Sequence, residues 1–311
     1  MAENPITRTR WPFMFVTDQR GESTGWVVLH APIQSPSRKR LFAEYREKAF
    51  RFVGMSSFMT FPKPDGKDPL DYEAVCEAWC HCFVDPDRFL SAGLPRSHLA
   101  LSDFTSPHEI RHAALGVPRA APRLFDFVYV GAEAEWKMGA KSWGLARRCI
   151  ERLCSEVGLR GLVVGAPPGS LASVPRVTQS PRLSHHRFLS VLSRCGFLFV
   201  PSVLDASPRI LAEALCLDVP IAVNRRIVGG WQYVAPSTGR FFDGLDDVAD
   251  VAAACLGGGF EPRAWWVAHH GPERAGRTLR ALLECVDPAL GGDDTPLRIS
   301  TWAGSATGDR D

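Results

Sequence analysis

The chain has 311 residues, 45% hydrophobic and 23% charged, with a formal net charge of +2. That length suits two domains, and the composition is that of a folded protein rather than a disordered one. So small a net charge excludes a long-range field for nucleic acid or an anionic membrane, and no apolar run approaches the ~18 residues of a membrane-spanning helix.

In chain order, the first segment, MAENPITRTRWPFMFVTDQ, lacks a long apolar stretch with a small-residue cleavage site, so no signal peptide is expected. PFMFVTD (12–18) and GWVVLHAP (25–32) predict strands, and SRKRLFAEYREKAF (37–50) has helical spacing. RFVGMSSFMTFP (51–62) predicts a strand running into a loop, and KPDGKDP is turn chemistry. YEAVCEAWCHCF predicts a short amphipathic helix, with Cys76 and Cys80 on one face and His81 and Cys82 beside them. A metal there would need a second ligand pair at matching distance, and none follows, so buried structural thiols are the plainer reading. Cys149, Cys154, Cys195, Cys216 and Cys255 lie in apolar periodic segments. Their placement, with an odd total of nine, points to a reducing compartment, hence a cytoplasmic protein. Residues 85–122 carry scattered prolines and predict an irregular connector.

From residue 123 the rhythm is regular. LFDFVYVG (124–131), RGLVVGAP (160–167), FLFVPS (197–202) and VPIAVN (219–224) predict strands. Helices are predicted over 141–159, 184–196, 207–218, 248–257 and, as one element, 261–285. Short continuous apolar strands alternating with helices imply a parallel sheet covered on both faces, a doubly wound α/β domain. Ligands of such sheets bind at the carboxyl ends of the strands. Gly131, Gly165, Ser202, Asp205 and Asn224 each follow or end a strand and fall near that edge. The polar, glycine-rich residues 291–311 predict a disordered tail.

The densest signal is VPSVLDASPRILAEALCLDVPIAVN (200–224). Ser207 is a good N-cap and Pro208 suits the first helical position. The amides of Arg209, Ile210 and Leu211 would then form an anion site, to which Arg209 adds a cation. Asp205 precedes the helix start, and Glu213 lies ~9 Å further along the axis. Carboxylates accept hydrogen bonds from hydroxyl pairs, so hydroxyls, a diphosphate and further hydroxyls match the row: a nucleotide sugar. Two plainer readings stay open. Glu213 is placed to pair with Arg209 on the helix surface, and Asp205 could be a loop residue.

This stretch resembles the donor-binding signature of GT-B glycosyltransferases of family four. That signature is a strand ending in Pro-Ser, an acid, seven residues, Glu-Ala, a short apolar turn and a second apolar strand. Here it reads Pro201-Ser202, Asp205, Glu213-Ala214 and Pro220-Ile221-Ala222-Val223. IVGGWQYVAPSTGRFF matches the family's glycine pair (Gly229, Gly230) and its Thr-Gly element (Thr238-Gly239), and FVYVG with GLVVG resembles the first βαβ unit. The resemblance covers residues 124–285 and implies a GT-B-like fold. Residues 123–290 would form a Rossmann-like nucleotide-sugar domain, and residues 1–122 a smaller, reduced α/β acceptor-side domain. It implies a hexosyltransferase that retains anomeric configuration and needs no metal or other cofactor. The donor would be a UDP- or GDP-linked sugar, and the acceptor a glycan, lipid or small molecule.

Carried over by position, Glu213 holds the ribose hydroxyls and Asp205 faces the transferred sugar. Ser202, Ser207, Arg209 and Ile210 line the diphosphate, with Gly131 at the strand edge. Lys141 or Lys137 supplies positive charge to the leaving diphosphate, and the loop around Val177, Thr178 and Gln179 lies near the base. Gly229 and Gly230 face the acceptor. Ser56, Ser57, His30 and Asp103 are the polar candidates of the N-terminal half, and His185 and His186 are expected at the surface. The sequence departs from the family in having Asp205 where glutamate is usual and Ala206-Ser207-Pro208 where glycines are usual. A non-catalytic nucleotide-sugar or glycan binding module is the alternative. A dinucleotide oxidoreductase would need Gly-x-Gly-x-x-Gly after the first strand, and GAEAEWKMG lacks that spacing.

Overall fold

The computed structural model describes residues 10–56, 61–62, 70–114, 122–132, 138–139, 141–292 and 294–300. The chain divides into two units, one of residues 1–104 and 270–311, the other Thr105–His269. The mixed α/β class is as expected, while the boundaries fall at 104 and 269 rather than at 122 and 290.

The first unit holds a six-stranded sheet. Its strands are β1 (Phe13–Thr17), β2 (Ser23–Leu29), β3 (Arg51–Met55), β4 (Ala78–His81), β5 (Arg96–His98) and, from the C-terminal end, β12 (Arg298–Ile299). The order is β12-β1-β2-β3-β4-β5, with β2 through β5 parallel and β1 antiparallel to both neighbours. One face packs under α1 (Pro36–Glu47), where Phe42 and Tyr45 meet Phe13, Phe15 and Phe52.

Several expectations change here. The cysteine-rich stretch is not one helix: α2 (Tyr72–Val75) is a single turn, and Ala78–His81 is strand β4. Trp79, Cys80 and His81 suit a pleated, doubly buried position between β3 and β5 better than a helix. The connector also holds β5 and α3 (Pro107–Ala113). Residues 291–292 and 294–300 are not a tail, and 301–311 lie outside the described residues. Leu297 is buried, β12 pairs with β1, and the buried Arg280 guanidinium donates to the carbonyls of Leu290 (2.8 Å) and Thr295 (2.5 Å). The turn KPDGKDP lies outside the described residues.

The second unit is a doubly wound parallel sheet. Its strands are β6 (Phe125–Val130), β7 (Gly161–Val164), β8 (Val177–Ser180), β9 (Cys195–Val200), β10 (Ile221–Asn224) and β11 (Gly239–Phe242). The order is β11-β10-β9-β6-β7-β8, parallel throughout. Its helices are α3, α4 (Trp143–Ser155), α5 (His185–Leu192), α6 (Arg209–Cys216), α7 (Val248–Leu256) and α8 (Pro262–His269). α3, α5, α6 and α8 share one apolar face of the sheet, and α4 and α7 the other. Every residue of β9 is buried, as a strand covered on both faces requires.

The single helix expected over 261–285 is two. Gly271 takes φ 108° and Pro272 opens α9 (Pro272–Glu284), so helix cannot run through 270–272. The break separates the units: Trp266 of α8 packs with α3 and α6, while Leu279, Leu282 and Leu283 of α9 pack against β1 to β4.

Candidate functional site

The strand order of the second unit reverses between β6 and β9, which are neighbours although β7 and β8 come between them in sequence. That switch point is where an open α/β sheet leaves a crevice beyond its strand ends. Four segments reach it: Gly131 after β6, Gly165 after β7, Pro201-Ser202 after β9 and Asn224 at the end of β10. Gly131 donates its amide to Val164 (2.8 Å), and a Cβ there would come within 3.1 Å of the Gly165 carbonyl. The edge beside β7 is therefore built of backbone.

Two predicted residues meet at this point. Lys141, just before α4, forms an ion pair from Nζ to Oδ2 of Asp205, 64 residues later. Both side chains are half-buried. Ser142, next to Lys141, holds the left-handed conformation (φ 52°, ψ 47°) while its carbonyl accepts the first helical amides. This strained turn aims the lysine at the loop after β9. Lys137, the other candidate, lies outside the described residues, as does Ser57.

The loop from Asp205 to Pro208 leads into α6, but the helix starts one residue later than expected. Pro208, not Ser207, holds the N-cap position. Proline has no amide to lose there, and its carbonyl accepts from Leu211 (2.9 Å). Leu211 is thus engaged, while the amides of Arg209 and Ile210 meet no acceptor among the described residues. Arg209 is exposed, Ser202 is buried and Ile210 packs beside the apolar layer. The glycine pair belongs to the same loop cluster. Gly229 donates to the Asp205 carbonyl (3.0 Å). Gly230 has φ 80°, and a Cβ on it would lie 2.7 Å from both Pro208 and Leu211. These glycines brace the Asp205–Pro208 loop.

Glu213, on the second turn of α6, is 7% exposed. Its Oε1 accepts from Nε2 of His185 at 2.9 Å. The partner is His185, not Arg209, and so His185 is not simply a surface residue. His186 is exposed and donates from Nδ1 to the Ala113 carbonyl (3.0 Å) at the end of α3. The strand order brings His185 to Glu213. Right-handed crossovers put α5 and α6 on one side of the sheet, opposite α4.

Other predicted residues have structural duties. Val177–Ser180 is an edge strand rather than a loop, with Thr178 exposed in its middle. Gln179 donates to the Pro167 carbonyl (3.2 Å) and so shapes the turn after β7. Thr238 is buried, accepting from Ala235 (2.7 Å) and donating to the Tyr233 carbonyl (2.6 Å). In the first unit, Ser56 is fully buried between Phe61, to whose carbonyl it donates (2.6 Å), and the Trp79 indole, from which it accepts (2.7 Å). His30 is buried edge-on to Trp11. Asp103 is buried and bonded to His270 (2.9 Å) and to the Ala100 amide (2.7 Å). Among the described residues no group of three His, Cys, Asp or Glu side chains could hold a metal ion.

No protein-family model matches the sequence, and no curated protein does. Solved structures do. The chain is similar to a sucrose-phosphate synthase from Thermosynechococcus elongatus, with 16% identity and a TM-score of 0.57 over 84% of this chain and 74% of that one. It is similar to the lipopolysaccharide outer core galactosyltransferase WaaB, with 14% identity and a TM-score of 0.59 over 83% and 75%. A third is Anabaena HepE, solved with UDP-glucose, with 11% identity and a TM-score of 0.52 over 84% and 78%. The chain has the fold of the GT-B glycosyltransferases.

Proposed function

We propose that this protein is a glycosyltransferase that moves a hexose from a nucleoside-diphosphate sugar to a hydroxyl acceptor, with retention of configuration and without a metal. The observation that carries this reading is the Lys141–Asp205 contact at the switch point of the second sheet. A cation and an acid far apart in sequence meet beside the open amides of Arg209 and Ile210, with a buried acid, Glu213, further along the same helix.

Each group has a part. The start of α6 supplies amides and a positive dipole end to the diphosphate. Lys141 leaves Asp205 to meet the charge that grows on the diphosphate as its bond to the sugar C1 breaks. Preorganised cations and dipoles do that work without Mg²⁺. Asp205, released, accepts hydrogen bonds from the sugar, and Glu213 accepts them from the ribose. The acceptor oxygen takes C1, and its proton leaves with the diphosphate oxygen. HepE, with UDP-glucose bound, supports a UDP-linked donor. A GDP-linked donor suits the same groups, and the acceptor is a glycan, lipid or small molecule. Among the described residues no helix is long and apolar enough to cross a membrane, and the nine free cysteines fit a cytoplasmic setting.

Thermal shift against UDP-, GDP- and ADP-linked sugars tests the reading. A bound donor raises Tm by mass action, and Glu213→Ala is expected to lower donor affinity about tenfold or more, the worth of a charged hydrogen bond. No shift with any donor, or an unchanged shift in the variant, would contradict it.

A further inference from the structure

We infer that His185 is a positioning residue for the Glu213 carboxylate, turning one of its oxygens toward the ribose diol; the inference rests on Glu213 being the ribose acceptor. The carboxylate is held from one side. His185 Nε2 donates to Oε1 at 2.9 Å, and Oε2 meets no donor among the described residues. With Oε1 committed to His185, Oε2 keeps its lone pairs for a further donor, and a hydroxyl of the ligand takes that place.

His185 is well fixed for this duty. It is the first residue of α5, and the next residue, His186, anchors the same helix end to the Ala113 carbonyl. Below them Phe188, Leu189 and Leu192 lock α5 into the layer that also buries Leu211 and Leu215 of α6. The packed helix fixes the point from which the imidazole reaches Glu213. One turn back on its own helix stands Arg209, yet the bond to the Glu213 carboxylate comes from His185. Without His185, the carboxylate keeps its place on the helix but loses the bond that fixes its rotation.

The experiment compares dissociation constants of UDP and GDP with those of their 2′,3′-dideoxy forms, by calorimetry, for wild type, Glu213→Ala, His185→Ala and His185→Gln. In the wild type the diol is expected to improve affinity for at least one nucleotide about tenfold, and Glu213→Ala removes that preference. His185→Ala reduces the preference severalfold while leaving the dideoxy affinities near wild type, and His185→Gln, which can still donate, restores much of it. A purely structural role would weaken both forms alike and leave the ratio intact. If Glu213→Ala abolishes the preference and His185→Ala keeps the wild-type ratio, the inference is overturned and the ribose reading stands. If the wild type shows no preference, or Glu213→Ala keeps it, the ribose reading falls and the inference with it.

Discussion

Gly230 shows how a single residue bears on the site. Its φ of 80° and the 2.7 Å approach of a Cβ to Pro208 and Leu211 leave room only for hydrogen. Gly230→Ala combines a left-handed alanine with overpacking against the start of α6, at a cost of about 2–4 kcal/mol. Urea unfolding should show that loss, and the same variant should bind donor more weakly because the Asp205–Pro208 loop moves. Equal stability would mean that the loop relaxes freely. Thiols give a second test at this scale. Cys285 is exposed and the other eight cysteines are buried. Burial pushes the Cys149 thiol up to about 12 and the Cys154 thiol up to about 11, far from the reactive thiolate. Native protein should therefore react with one equivalent of thiol reagent quickly and with nine after denaturation. Rapid reaction of more than one would contradict the burial.

At the scale of elements, β4 and β5 end side by side in His81 and His98, whose rings meet at 5.4 Å. Burial, then the charges of His98 and Arg96, push His81 down to about 4, and burial lowers His98 as well. Between its ordinary value of 6.5 and that lower value, the unfolded chain takes up a proton that the folded chain refuses. Stability is thus complete above about pH 6.5 and falls as pH drops toward 4. The fall in Tm from pH 7.5 to pH 5 should be smaller in His81→Gln than in the wild type. An identical fall would show that His81 does not titrate as described.

Elements also show what was legible in the sequence. The βα alternation from Phe125 to Asn224 stands out because each parallel strand is a short continuous apolar run. Strand β8, VTQS, is half-exposed on an edge and has no such run. Strand β4 was hidden because the alternation of Trp, Cys and His can be matched to either period over so few residues. The break at Gly271-Pro272 was written in the sequence, but apolar residues on both sides masked it. In the site, Asp205 and Glu213 could be picked out by residue type and spacing, and Lys141, with Lys137 as its alternative, only through the family resemblance. The His185 contact depends on which helices are neighbours, which only the strand order decides.

For the whole molecule, the chain crosses between units twice, and its ends complete the first sheet: β12 pairs with β1 and α9 covers β1 to β4. The second unit, closed within Thr105–His269, carries the Lys141–Asp205 pair and the Glu213–His185 pair together. The central claim is that this unit activates a nucleotide sugar, and Lys141 is the group asked to do most. Single-turnover release of nucleoside diphosphate, compared between wild type and Lys141→Ala with saturating donor, tests it most directly. Loss of one charge-stabilising group is expected to slow release about 10²–10³-fold, with donor affinity changed far less. Release at the wild-type rate in Lys141→Ala, or none from the wild type with any donor, would contradict it.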